Sequence, residues 1–190
     1  MDSDRLSQRA KQPGHDRTFL ASEANFVEAA TRCLDPNEYV VEDHPADLKR
    51  IFPASLTGER DLGVVPEASI TSRRTGRKFF VEVKKQGPAG NAEERACKHH
   101  TVQFYNTLHA EFGYDYHPFV TIFCESLATL PRYTRKAEYL FEPSQYFNWV
   151  DYDLDALCAF LRSRCEVARL LAPRRETPGG CWPLPGASLS

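Results

Sequence analysis

Apolar positions along this chain recur at two spacings, and the switches between them mark its elements. Phe26, Val27, Ala30, Cys33 and Leu34 follow helical spacing and Pro36 stops the run, which predicts a helix over 22–34. A short apolar Tyr39-Val40-Val41 follows, then a short helical stretch over Ala46–Phe52 ended by Pro53, then a segment of turn character over Ala54–Gly63. Val64–Thr71 and Lys78–Lys84 read as strands joined by the turn Ser72–Arg77. Side chains alternate along a strand, so Phe79, Val81 and Val83 share one face of the second and Phe80, Glu82 and Lys84 the other. Gln86–Gly90 is a loop. Asn91 is suited to cap a helix over 92–111, with Glu94 three residues on completing a capping-box pattern. Phe119–Cys124 is apolar enough for a central strand. Pro131–Phe141 reads as helical, Tyr146–Val150 as a strand, and Leu154, Leu157, Cys158, Leu161, Cys165 and Leu170 as the apolar stripe of a last helix over 154–171. The predicted architecture is α/β, a mixed sheet flanked by helices, in one domain over 1–172. Residues 1–16 are expected to be flexible and the Pro-, Gly- and Ser-rich 173–190 disordered.

The 190 residues, 42% hydrophobic and 26% charged, suffice for one such domain with a real core. No apolar run reaches the roughly 20 residues of a membrane helix, and the polar N-terminus is no secretory signal, so a cytoplasmic protein is expected. The six cysteines form no C-x-x-C pair and read as reduced thiols, several of them in the core. Net charge is −2, which taken alone argues against nucleic acid. Its distribution changes that picture. Thr71–His100 holds eight Lys and Arg against three Glu, a net +5, leaving −7 on the rest. A local basic patch attracts phosphate even on an acidic protein, although most charge runs are plain solvated surface.

Pro66-Glu67, fourteen intervening residues, then Glu82-Val83-Lys84 is the layout of a PD-(D/E)xK nuclease centre. Phosphodiester cleavage needs a divalent metal to neutralise developing charge and lower the pKa of a bound water. Mg²⁺ takes carboxylate and carbonyl oxygens and keeps several waters, so Glu67, Glu82 and the Val83 carbonyl are its candidate ligands. A hairpin folded about Arg74–Thr75 sets Glu67 opposite Glu82, and Lys84 projects from the same face toward the scissile phosphate or the attacking water. The competing reading is two strands bearing surface salt bridges, since an E-x-K triplet alone is common.

The following segment tips the balance. Glu82-Val83-Lys84-Lys85-Gln86 and then Gly90-Asn91-Ala92-Glu93-Glu94-Arg95-Ala96-Cys97-Lys98 resemble the E-x-K-x-Q strand and G-N-A-x-E-R-x-x-K recognition segment of the EcoRI/MunI-like type II restriction endonucleases. The likeness is greatest to MunI and runs from about Gly63 to Leu171, including Pro118–Val120 and Tyr146–Trp149. It implies a restriction-endonuclease-like fold and a homodimer that cuts double-stranded DNA with Mg²⁺ at a palindrome with an AATT core. A cognate methyltransferase would work beside it. It further implies that Gly90 opens the recognition segment, that Asn91, Ala92 and Arg95 read adenines, that Glu94 helps hold Arg95, and that Lys98 contacts phosphate. Asn suits adenine N6 and N7 on its own chemistry, and a helix start suits phosphate, whereas the adenine role of Arg95 rests on the family.

Two positions depart from the pattern. Glu67 stands where the motif has Asp, and its extra methylene displaces the carboxylate by roughly 1 Å, a shift that matters for catalysis unless the strand adapts. Ala89 stands where MunI has an Arg for the outer base pair, which is then read by another residue, different, or unread. Two alternatives to a restriction enzyme are a structure-specific repair nuclease of the same fold and a DNA-binding protein with decayed catalysis. His99 and His100 read as helix surface or phosphate contacts, and their spacing with Cys97 suits a metal poorly. Glu23 and Glu28 are further candidate acids, more in keeping with solvated helix positions. Trp149 and Trp182 read as packing or tail residues.

Overall fold

The structure, a computed structural model, describes residues 25–52 and 63–167. The predicted flexible N-terminus, most of the Ala54–Gly63 turn, Glu23, Trp182 and the C-terminal tail lie outside them. Residues 25–33 are helical (α1) and lead into strand β1 (Tyr39–Asp43), β2 (Ala68–Ser72) and β3 (Lys78–Gln86). Then come α2 (Ala92–Ala96), a 3₁₀ turn (Cys97–His99), α3 (Val102–Phe112) and β4 (Phe119–Glu125). The short α4 (Ser126–Thr129), α5 (Pro131–Leu140), β5 (Tyr146–Trp149) and α6 (Leu154–Val167) complete the chain. The strands form one sheet in the order β1-β2-β3-β4-β5. The first three pair antiparallel, and β3, β4 and β5 pair parallel. The mixed sheet of the sequence reading is thus present.

Alternation along β3 decides what each face of the sheet does. Phe79, Val81 and Val83 point to the face covered by α1 and α6, where Phe26, Ile70, Ile122, Trp149, Leu157 and Leu161 join them in one buried cluster. Full burial of a side chain such as Phe or Leu contributes about 1.5–3 kcal/mol. The opposite face carries two smaller clusters. Phe80, Phe104, Leu108 and Phe119 pack beneath α3, while Ala92, Ala96, Phe123, Tyr133 and Phe141 pack beneath α2 and α5. Between them Glu82, Thr121, His99 and His100 form a polar seam, three of them buried and His100 partly so.

Several expectations need correction. β2 begins at Ala68 and not Val64, and β3 continues through Gln86, which the sequence pattern places in the loop. Ala46–Phe52 is a turn and not a helix. Pro45 and Pro53 bracket too few residues, and the segment closes with Lys49 N–H on Ala46 O and Ile51 N–H on Leu48 O. The single helix over 92–111 is broken at His100, because His99 and His100 turn inward and Thr101 restarts the chain as an N-cap accepting from Phe104 N–H at 3.2 Å. Gly113, at φ 68°, closes α3 in the left-handed cap that glycine adopts without a Cβ penalty. The last helix is described to Val167. Cys33 and Cys158 are disulfide-linked, joining α1 to α6, so the all-thiol reading fails for this pair, whereas Cys97 and Cys124 are thiols. Trp149 packs edge-on against Phe26, as a core residue. Among the described residues no helix is long and apolar enough to cross a membrane.

Candidate active site

β2 and β3 pair Ala68 with Val81 and Ser69 with Phe80. One further step of that register brings Glu67 opposite Glu82, as the hairpin centred on Arg74–Thr75 requires. Glu67 lies just outside the ladder and is fixed from both sides. Its carbonyl accepts from His44 N–H at 3.1 Å, and its Oε2 accepts from Val83 N–H at 2.7 Å. Lys84 folds back over the pair. Its ammonium ion-pairs with Glu82 and stands 3.6 Å from Glu67 Oε1 and 3.5 Å from the Val83 carbonyl. Glu67, Glu82, Val83 and Lys84 therefore converge at one end of the hairpin.

Burial gives this cluster its electrostatic character. Glu82 is only 7% exposed. Burial first, and then the neighbouring Glu82 charge, push the Glu67 carboxyl up to about 9. Burial pulls Glu82 the same way, but the Lys84 charge and the hydrogen bond from Glu67 outweigh it and hold Glu82 below the ordinary carboxylate value. Two desolvated carboxylates side by side require a proton or a cation between them. Their donor set, two hard carboxylates and a backbone carbonyl, fits a divalent cation of the Mg²⁺ kind. Among the described residues no group of three His, Cys, Asp or Glu could hold a metal, so the further positions of such an ion would fall to water or phosphate oxygens. The exposed Glu28 pairs with Arg32 on α1 and adds no acid here.

A cavity of about 170 Å³ adjoins the cluster, lined by Lys84, Lys85, Ala92, Arg95 and Lys98. Four cations on one small concavity suit a phosphodiester backbone. Arg95 and Lys98 are exposed on the segment that follows β3, with Asn91 and Ala92 at its start. The start of α2 is held otherwise than expected. Asn91 occupies the N-cap position but makes no side-chain cap bond. Instead Gln86 Oε1 accepts from Ala92 N–H at 2.8 Å, and Gln86 Nε2 donates to the Tyr133 hydroxyl at 2.9 Å. Gly90, at φ 138°, lies so close that an added Cβ would stand 2.4 Å from the Gln86 side chain. Glu94 does not hold Arg95 here. It is engaged by Lys136 of α5, whose ammonium also reaches the buried Glu93.

His99 and His100 are not surface residues. The His99 ring stacks on Phe119 with centroids 4.6 Å apart, and burial holds it down at about 4. His100 Nε2 pairs with Thr121 Oγ1 at 3.0 Å, and burial holds it at about 3. Both imidazoles are neutral at pH 7. The sequence reading also passed over Lys136 and Tyr133. Gln86 was visible as part of a motif, but its partners lie far along the chain, and no local spacing points to them.

A five-stranded mixed sheet with helices on both faces, carrying its acidic pair where two antiparallel strands meet, defines the class of restriction-endonuclease-like folds. The family model for the type II restriction enzyme MunI matches residues 1–166, and the chain belongs to that family of site-specific deoxyribonucleases. Among solved structures, the chain is similar to MunI restriction endonuclease in complex with cognate DNA. The sequence identity is 20%, over 69% of this chain and 82% of that one, with a TM-score of 0.57. No curated protein sequence matches it.

Proposed function

We propose that this protein is a Mg²⁺-dependent restriction endonuclease that hydrolyses double-stranded DNA at a short palindrome containing AATT, leaving 5′-phosphate ends. The observation that carries this reading is the convergence of Glu67, Glu82 and Lys84 beside the cavity lined by Lys85, Arg95 and Lys98. Glu67, Glu82 and the Val83 carbonyl would hold the ion. When bound, it supplies charge neutralisation at the phosphate and a water of lowered pKa. Lys84 orients the scissile phosphate or the attacking water. Gly90, Asn91, Ala92 and Arg95 form the base-reading edge, with Asn91 matched to adenine, and Lys98 contacts phosphate. Glu94 supports this edge. The solved MunI complex contains cognate DNA, and its fold likeness is consistent with a duplex lying across this face.

A palindrome read by two copies of one segment calls for a two-fold homodimer, because protein symmetry mirrors site symmetry. The family reading adds one nuclease domain over 1–172, a cytoplasmic location and a partner methyltransferase that protects host DNA. The test is incubation of the purified protein with plasmid and Mg²⁺, followed by sequencing of the cut ends. Discrete fragments whose ends carry one palindrome are expected. Nicking or smearing would favour a structure-specific nuclease, and intact plasmid with a mobility shift a protein that binds without cutting.

A further inference from the structure

We propose that helix α5 governs sequence reading, with Lys136 and Tyr133 as positioning residues that hold the Gly90–Arg95 segment in its reading conformation. This rests on the reading of that segment as the base-contacting edge.

The segment cannot hold itself. α2 has five residues, too few to be stable alone, and its N-cap side chain makes no capping bond. Two holds come from α5 instead. Lys136 Nζ lies 3.1 Å from Glu93 Oε1 and 2.5 Å from Glu94 Oε1, so one ammonium grips both residues before Arg95. The Glu93 side chain is 1% exposed, and its Oε2 has no hydrogen-bond partner. A buried carboxylate so poorly served depends on its one cation. Three residues earlier on the same helix face, the buried Tyr133 hydroxyl accepts from Gln86 Nε2, and Gln86 in turn holds Ala92 N–H. Without the Lys136 charge, Glu93 gains by rotating toward water. Successive helix residues are about 100° apart, so that rotation carries Arg95, two positions on, away from its place at the cavity. Lys136 thus acts on base reading through Glu93 and Glu94, without touching a base.

The experiment measures cleavage on duplexes carrying the site that wild type cuts best and on every single-base-pair variant of it. The readout is the ratio of kcat/KM between best and variant sites. For Lys136→Met the ratio is expected to contract about tenfold, the scale of one good base contact, with Lys136→Arg restoring most of it. Tyr133→Phe keeps the ring and the core, and should contract the ratio about threefold by removing one hydrogen bond. Equal slowing on all sites would mark Lys136 as merely structural and overturn the proposal. So would an unchanged ratio in folded Lys136→Met, or in Tyr133→Phe where Lys136→Met does not fold. If wild type cuts with no site preference, the restriction reading fails and takes this proposal with it. A selective wild type with indifferent variants overturns the proposal alone.

Discussion

The β2–β3 hairpin and the Gly90–His100 segment face the same cavity but are held by different means. The hairpin is held by its own backbone ladder, and one step of register suffices to bring Glu67 to Glu82. The Gly90–His100 segment, the proposed recognition segment, is a five-residue helix and a 3₁₀ turn, held by side chains from β3, β4 and α5 through Gln86, Thr121 and Lys136. On the proposed function, cutting geometry is therefore local, whereas reading geometry depends on contacts made far along the chain. The hairpin should lose function when a reacting group is deleted and otherwise tolerate change. The segment should lose selectivity through substitutions that touch neither DNA nor metal.

The largest effects test the hairpin. Glu82→Ala and Lys84→Ala should each lower cleavage at least about a thousandfold, while circular dichroism shows an intact fold. Near-normal cutting by either would remove these residues from the centre. Arg95→Ala comes next. Specific binding and cleavage should fall together, because a bidentate base contact is worth roughly 1–3 kcal/mol and occurs in both subunits of a dimer. Retained specificity in a duplex-binding assay would place the reading elsewhere.

Glu67→Asp tests whether the hairpin has adapted to its longer acid. Glu67 Oε2 accepts from Val83 N–H at 2.7 Å, a bond that a shorter side chain on the same backbone would not reach. Asp is therefore expected to cut about tenfold more slowly, in single-turnover assays, through misplacement of the carboxylate. Faster cutting would show that Glu67 is a compromised ligand. Lys98→Ala should weaken binding to all sequences alike and reduce the slope of log K against log salt by about 1 per site.

The smallest effect is on stability in the absence of metal. The Glu67 pKa is raised from 4.5 to about 9, so its contribution is fully present below about 4.5 and is lost as pH rises toward about 9. His99, His100 and His117 have pKa values depressed by burial from 6.5 to about 4, 3 and 4, so their contribution is present above 6.5 and lost as pH falls. Thermal melting should therefore peak near pH 6.5, where the two trends meet. Glu67→Gln should flatten the alkaline decline, worth a few degrees, and steepen the rise between about pH 4.5 and 6.5, where Glu67 opposes the histidines. Added Mg²⁺ should oppose the same decline in wild type. An unchanged alkaline limb in Glu67→Gln would show that Glu67 is not the group responsible.

Period-two alternation revealed the two faces of β3, and the symmetric spacing about Arg74–Thr75 revealed the pairing of Glu67 with Glu82, because both follow from backbone geometry alone. The break at His100 was hidden, since apolar spacing from Ala96 to Phe112 runs through it and the inward turn depends on Phe119 and Thr121, some twenty residues away. The Cys33–Cys158 link was likewise invisible, because proximity of α1 to α6 is a tertiary fact. The missing cap at Asn91 has the same origin, since the start of α2 is tied down by Gln86, which accepts from the N–H of Ala92, and not by its own capping side chain.

The contact between Gly90 and Gln86 constrains how this segment can change. A Cβ at position 90 would strike the Gln86 side chain, and its φ of 138° already disfavours other residues. A side chain at position 90 would push the amide end of Gln86 aside, and would thereby release Ala92 N–H and the hydroxyl of Tyr133. On the proposed reading, new cutting sites are expected to arise by exchange of the exposed residues at 89, 91 and 95 while Gly90 is kept.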